Sequence, residues 1–232
     1  MGLLDLIFPK KCVVCKKDGS YICDNCFSYL SFDTKNTCLV CNKHSIDGYT
    51  HKNCLKKNTI DGCFSSLYLN KTAYKLIYSF KNKPYLKDLE NVLSDFLYEG
   101  LIQNEAFNKE LEKENRKKWI ITYVPLHSLI YKKRGYNQAE IIARNLGKRL
   151  NIKAVDLLIK TKNTIPQAKL KGKRKKNNLR GVFSLKAKNF KLEGSRIFII
   201  DDFVNTGTTL QETARALKEK GAKKAIGISL AK

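Results

Sequence analysis

Two adjacent carboxylates close an apolar run near the C-terminus, in Ile197-Phe198-Ile199-Ile200-Asp201-Asp202-Phe203-Val204-Asn205-Thr206-Gly207-Thr208-Thr209. The apolar residues predict a central strand that carries Asp201 and Asp202 at its carboxyl end, where open α/β sheets bind ligands. The chain then turns into a helix with Leu210, Ala214 and Leu217 on its apolar face and Gly221 at its close. Gly207 lets the backbone approach an anion, while Thr206, Thr208 and Thr209 bring hydroxyl donors and the helix N-terminus brings free NH groups. That combination describes a phosphate cradle beside an acid pair suited to a diol. Helix capping alone would account for a lone Thr-Gly-Thr. A Walker-type phosphate loop is absent.

The cysteines form a second constellation. Of eight, seven precede residue 55, spaced Cys12-x2-Cys15-x7-Cys23-x2-Cys26 and Cys38-x2-Cys41-x9-His51-x2-Cys54. A C-x2-C knuckle turns two thiolates toward one cation, and two knuckles complete the tetrahedron Zn2+ accepts. The spacing predicts two structural zinc sites, and the sequential grouping is favoured over an interleaved one. With every position filled by a protein ligand, none is left for catalytic water. Without an export signal the thiols are expected to stay reduced, so a disulfide framework is disfavoured. Cys63 is read as a small buried hydrophobe, and His44 as a surface residue.

The elements that must position these groups alternate. Phe64–Leu69 reads as a strand, and Leu86, Leu89, Leu93, Phe96, Leu97 and Leu101 fall at helical spacing. The stretch 103–118 is highly charged and reads as a solvated helix or connection. Trp119–Val124 is a buried strand stopped by Pro125. A helix with Ile141, Ile142, Leu146 and Leu150 follows the Arg134-Gly135-Tyr136-Asn137 turn, and another strand is expected around Val155–Ile159. This order predicts an α/β fold with a mainly parallel sheet covered on both sides, 61–232, preceded by a small zinc-binding domain, 1–60.

The chain has 232 residues and a formal charge of +24, from 45 Lys plus Arg against 21 Asp plus Glu. Such a field attracts polyanions, and single-stranded DNA bound with steep salt dependence is one expectation. No apolar run reaches the ~20 residues that span a bilayer, and a cytoplasmic location is expected, including the inner face of the membrane.

The acid pair and its loop resemble the ribose-phosphate motif of type I phosphoribosyltransferases. With Val124-Pro125-Leu126-His127, Arg134 to Glu140, Pro166-Gln167-Ala168, Asn178 to Phe183 and the preceding knuckles, nearly the whole chain resembles the ComF family of competence-associated proteins. The resemblance implies that Asp201 and Asp202 bind the ribose hydroxyls of phosphoribosyl pyrophosphate and that Asn205, Thr206, Gly207, Thr208 and Thr209 hold its 5-phosphate. It also implies that the loop ending at Arg134 meets the pyrophosphate, although Arg134-Gly135 equally fits a plain turn. The basic run Lys171, Lys173, Arg174, Lys175, Lys176 and Arg180 resembles a mobile loop closing over the site; a solvated loop is its alternative. Mg2+ would accompany the ligand, and other competence proteins are implied partners in natural transformation. Asn205 departs from the acidic residue that related base-transferring enzymes often place there, and an amide takes no proton at neutral pH. Purine salvage is therefore disfavoured and the acceptor stays open, as does the choice between a phosphoribosyltransferase and a DNA-binding protein whose pocket senses a phosphorylated ligand.

Overall fold

The computed structural model describes residues 9–82, 86, 89–113, 118–164, 179–186 and 191–232. Arg174, its neighbouring lysines and Pro166–Ala168 lie outside them. After a short α1 (Asp24–Phe27) come β1 (Gly62–Leu67), α2 (Lys71–Asn82), α3 (Leu89–Ile102), α4 (Glu105–Glu112) and β2 (Trp119–Tyr123). They are followed by α5 (Ser128–Arg134), α6 (Gln138–Leu150), β3 (Leu158–Lys160), β4 (Phe183–Leu185), β5 (Arg196–Phe203), α7 (Thr208–Lys218) and β6 (Lys224–Ala231). Strands β1, β6, β5 and β2 form a four-stranded parallel sheet in that order, which puts β5 and its acids in the interior.

Burial of both faces explains the continuous apolar strands. Alternate residues of β5 face opposite ways: Phe198 and Ile200 join a cluster with Leu76 of α2, Leu93 and Leu97 of α3, Phe107 of α4 and Ile142 of α6. Ile197 and Ile199 join the other cluster, with Leu210, Ala214 and Leu217 of α7. Trp119 stacks on Phe198 at 3.9 Å between ring centroids, and Phe107 lies 5.5 Å from the same ring.

Three local expectations change. The charged stretch after Gln103 contains a packed helix, α4, capped by Asn104, whose side chain accepts from the Phe107 amide. Its Ala106, Phe107, Glu110 and Leu111 are buried. Glu110 is tolerated there because Lys224 and the Tyr49 hydroxyl reach it at 2.5 and 2.7 Å. Burial alone would raise its carboxyl, but those partners hold it below the usual range. The apolar segment after Lys153 adds only an isolated parallel bridge, Ile121 to Ala154, and then pairs β3 antiparallel with β4. A short apolar run does not specify its partner, and β4 is remote in sequence. Finally, the segment ending at Arg134 is a helix, α5, capped by His127 and closed by Gly135 at φ 83°.

Candidate functional site

At the carboxyl end of β5 the two acids meet different surroundings. Asp202 is buried and pairs with the Lys81 ammonium of α2 at 2.6 Å. That ammonium also lies 5.3 Å from the centre of the Phe203 ring. Asp201 is half-buried on the opposite face; desolvation first, then the charge of Asp202, pushes its carboxyl up to about 8. The Asp202 amide donates to Asp201 Oδ1, and the Phe203 amide donates to Asp202 Oδ1, each at 2.9 Å, so backbone geometry fixes both carboxyls. Lys160 of β3 senses the Asp201 charge. Burial pulls its ammonium down, while the Asp201 charge acts in the opposite sense. The two carboxyls thus differ in surroundings: Asp202 is ion-paired with Lys81, and burial with its neighbour's charge raises Asp201.

Behind the acids the chain turns through Asn205, which is exposed, to Gly207 at φ 70°, the N-cap of α7. The Thr206 and Thr208 hydroxyls lie 2.9 Å apart, and the Thr209 carbonyl accepts from the Thr213 hydroxyl at 2.8 Å. The loop rests on the second cysteine cluster. A Cβ at Gly207 would stand 2.8 Å from Leu39 Cδ2, and Gln211 Nε2 donates to the Leu39 carbonyl at 2.6 Å. Leu39 is only 2% exposed and packs with Val204 and Leu210. The glycine is therefore needed for its left-handed backbone and for the space that Leu39 takes.

The turn after β2 is tied to the same site through polar contacts. Asn137 caps α6 and donates to the Val124 carbonyl at 3.0 Å, which pins the turn to the end of β2. Arg134 donates to Gln138 Oε1 at 2.6 Å, and Gln138 Nε2 donates to the Lys81 carbonyl at 3.3 Å. Arg134 thus connects to the acid pair through Gln138 and Lys81. Arg180 is exposed beside β4. A concavity of about 880 Å3 lined by Trp119, Arg144, Asn145 and Lys153 lies away from the acids. The sequence had not singled out Lys81, Lys160, Leu39 or Gln211. The functional signal of all four arises from tertiary contacts, since Leu39 is an ordinary knuckle residue and the lysines are unremarkable among so many.

The metal-ligating side chains assemble sequentially. The ligand atoms of Cys12, Cys15, Cys23 and Cys26 lie within 4.8 Å of one another, as do those of Cys38, Cys41, His51 and Cys54. Burial would raise the Cys12 and Cys38 thiols, but backbone hydrogen bonds, from Cys15 and Cys23 to the one and from Cys41 and His51 to the other, outweigh it and bring them down to about 6 and about 7. His51 Nε2 lies 2.8 Å from the His44 carbonyl, which can only accept, so this nitrogen carries the proton and Nδ1, 3.3 Å from Cys41 Sγ, is free to ligate. Four soft donors in each set fit Zn2+ and leave no open position. Cys63, by contrast, is buried in β1, and desolvation pushes its thiol up to about 11.

Comparison with known proteins matches residues 3–55 to a double zinc ribbon domain and residues 132–232 to a phosphoribosyl transferase domain. Competence protein F of Haemophilus influenzae is 33% identical over 99 residues, which are 42% of this chain and 43% of that protein. DNA utilization protein YhgH of Escherichia coli is 31% identical over 103 residues, 44% of each. The chain therefore spans less than half the length of these two relatives. Competence protein ComFC of Bacillus subtilis is 26% identical over 219 residues, 92% of this chain and 83% of that protein. No described helix is long and apolar enough to cross a membrane.

Proposed function

We propose that this chain, which belongs to the ComF family, binds phosphoribosyl pyrophosphate at the carboxyl end of β5 in the service of DNA uptake. The observation that carries the reading is the acid pair itself: Asp202 is paired with Lys81 at 2.6 Å and burial raises the Asp201 carboxyl, beside a helix N-terminus and two facing threonine hydroxyls. In this reading the ribose hydroxyls donate to the two carboxyls. The 5-phosphate lies against the α7 amides with Thr206 and Thr208 as further donors. Lys81 and Lys160 oppose the negative charge of the ligand. Mg2+ bound with the ligand would neutralise the pyrophosphate charge, with few direct protein ligands.

Transfer of the phosphoribosyl group is the enzymatic form of the same reading, because charge developing as pyrophosphate departs needs fixed cations near the leaving group. Asn205 supports a second reading, in which the pocket senses the ligand and another surface handles DNA, since its amide offers no proton acceptor to an incoming base. Calorimetry with phosphoribosyl pyrophosphate and Mg2+ tests the pocket. Charged hydrogen bonds contribute about 1.5–3 kcal/mol each, so Asp201→Asn with Asp202→Asn should weaken binding by roughly two orders of magnitude or more. Equal binding by wild type and double variant would place the pocket elsewhere. Pyrophosphate release in a screen of acceptors separates enzyme from sensor.

A further inference from the structure

The outward face of α2 has no role in the pocket, yet its composition is unusual. Between Lys71 and Asn82 the helix carries three lysines and no acid. Thr72, Ala73, Leu76, Ile77 and Phe80 are buried, which turns Lys71, Tyr74 and Tyr78 outward. Tyr74 and Tyr78 are each 52% exposed, and their rings stack at 5.9 Å between centroids with an interplanar angle of 27°. Two large aromatic rings this exposed on one helix face cost the free protein apolar hydration and bring no core packing.

The face is continuous with the first cysteine cluster at one end and the acid pair at the other. Lys75 Nζ donates to the Val14 carbonyl at 3.1 Å and Lys16 Nζ to the adjacent Val13 carbonyl at 3.3 Å, so two cations gather on that knuckle. A carbonyl partner leaves their charge uncompensated. Asn70, which caps α2 through the Ala73 amide, also donates to the Tyr29 carbonyl, and Tyr29 is 64% exposed. At the far end, Lys81 reaches Asp202.

We propose that this face, from Lys71 through Tyr74 to Tyr78, is a track for single-stranded nucleic acid, with the two tyrosines as stacking platforms for bases and Lys71, Lys75 and Lys16 as phosphate contacts. Aromatic rings interleaved with cations suit unpaired strands, because every base has a stacking face whereas a duplex hides it. The proposal deepens the reading that the chain serves DNA uptake and rests on it, but it is independent of the pocket.

The test is fluorescence anisotropy of full-length, zinc-loaded protein with labelled oligo(dT) of about 15 nucleotides, a length matched to single-strand sites. Wild type should bind with affinity falling steeply as salt rises. Tyr74→Ala and Tyr78→Ala should each weaken binding about tenfold or more, Tyr74→Phe and Tyr78→Phe should restore it, and Lys71→Gln should lower the salt slope by about one. Alanine variants that bind oligo(dT) like wild type, phenylalanine variants as weak as the alanine ones, or wild type that leaves oligo(dT) free would each overturn the track. Calorimetry with phosphoribosyl pyrophosphate on the same samples should show no change, because neither ring touches the acids. Loss of oligo(dT) binding with ligand binding intact supports the track. A wild type that binds oligo(dT) but not the phosphorylated ligand removes the pocket reading and leaves the track standing.

Discussion

Asp201 and Asp202 adjoin in sequence, but the strand turns them to opposite faces, and that separation gives them different surroundings. Asp202 meets Lys81 at 2.6 Å; burial and its neighbour's charge push the Asp201 carboxyl up to about 8 from an ordinary 3.8. Between those two values the folded protein holds a proton that the unfolded chain has released. Stability contributed by this group therefore falls as pH rises through that window and levels off above about 8. Asp201→Asn replaces a neutral acid with a neutral amide and removes the effect. Melting curves of wild type and Asp201→Asn should diverge as pH rises from weakly acidic to about 8, with the variant relatively more stable at the alkaline end. Titration of the cysteine ligands is common to both proteins and cancels in the difference. A gap that stays constant across the window contradicts the assignment of the proton to Asp201.

At the scale of elements, the phosphate loop and the second cysteine knuckle behave as one packed unit. Gly207 needs its left-handed backbone, and the Leu39 side chain fills the space above it. Gly207→Ala should cost about 1–2 kcal/mol for the backbone and more for the contact, since Leu39 is buried and cannot swing aside. Leu39→Ala alone should cost about 2–5 kcal/mol through lost packing. The double variant should be more stable than the two costs added together by about 1 kcal/mol, because the shortened side chain gives the new Cβ room. Strict additivity in denaturant titrations would show that the two residues do not share that space. This coupling was not legible in the sequence, whereas β5, α7 and both ligand sets were. An apolar run ending in acids and a C-x2-C spacing are local statements. That Leu39 seats on Gly207, or that Lys81 reaches Asp202, depends on contacts across more than 100 positions of chain, which periodicity does not encode. For the same reason α4 looked solvated: Glu110 reads as a surface charge until Lys224 and Tyr49 converge on it.

Across the whole molecule the two cysteine clusters serve opposite faces of the sheet. Val13, beside Cys12, is buried in the cluster formed with α2, α3 and α6, and Lys75 of α2 bonds the Val14 carbonyl. Leu39, beside Cys38, is buried in the cluster formed with α7, under the phosphate loop. Structural zinc contributes folding free energy locally, so its loss at either site should be felt by the face that site supports. Cys12→Ser and Cys38→Ser should each lower the metal content from two zinc ions to one, as read by elemental analysis. Their effects on ligand binding should then part. Cys38→Ser loosens Leu39 and the Gln211 contact to its carbonyl, frees the loop from Thr206 to Thr208, and should weaken phosphoribosyl pyrophosphate by about tenfold or more, since ordering a few loop residues costs roughly 1–2 kcal/mol each. Cys12→Ser leaves that loop seated, so affinity for the phosphorylated ligand should stay within about twofold, a free-energy change well below the tenfold step. Soluble yield and oligo(dT) binding should fall instead, because the Val13 and Val14 carbonyls gather Lys16 and, from α2, Lys75 on that knuckle. If both variants lose the ligand equally, the two clusters form one cooperative unit and the assignment of a separate face to each is wrong.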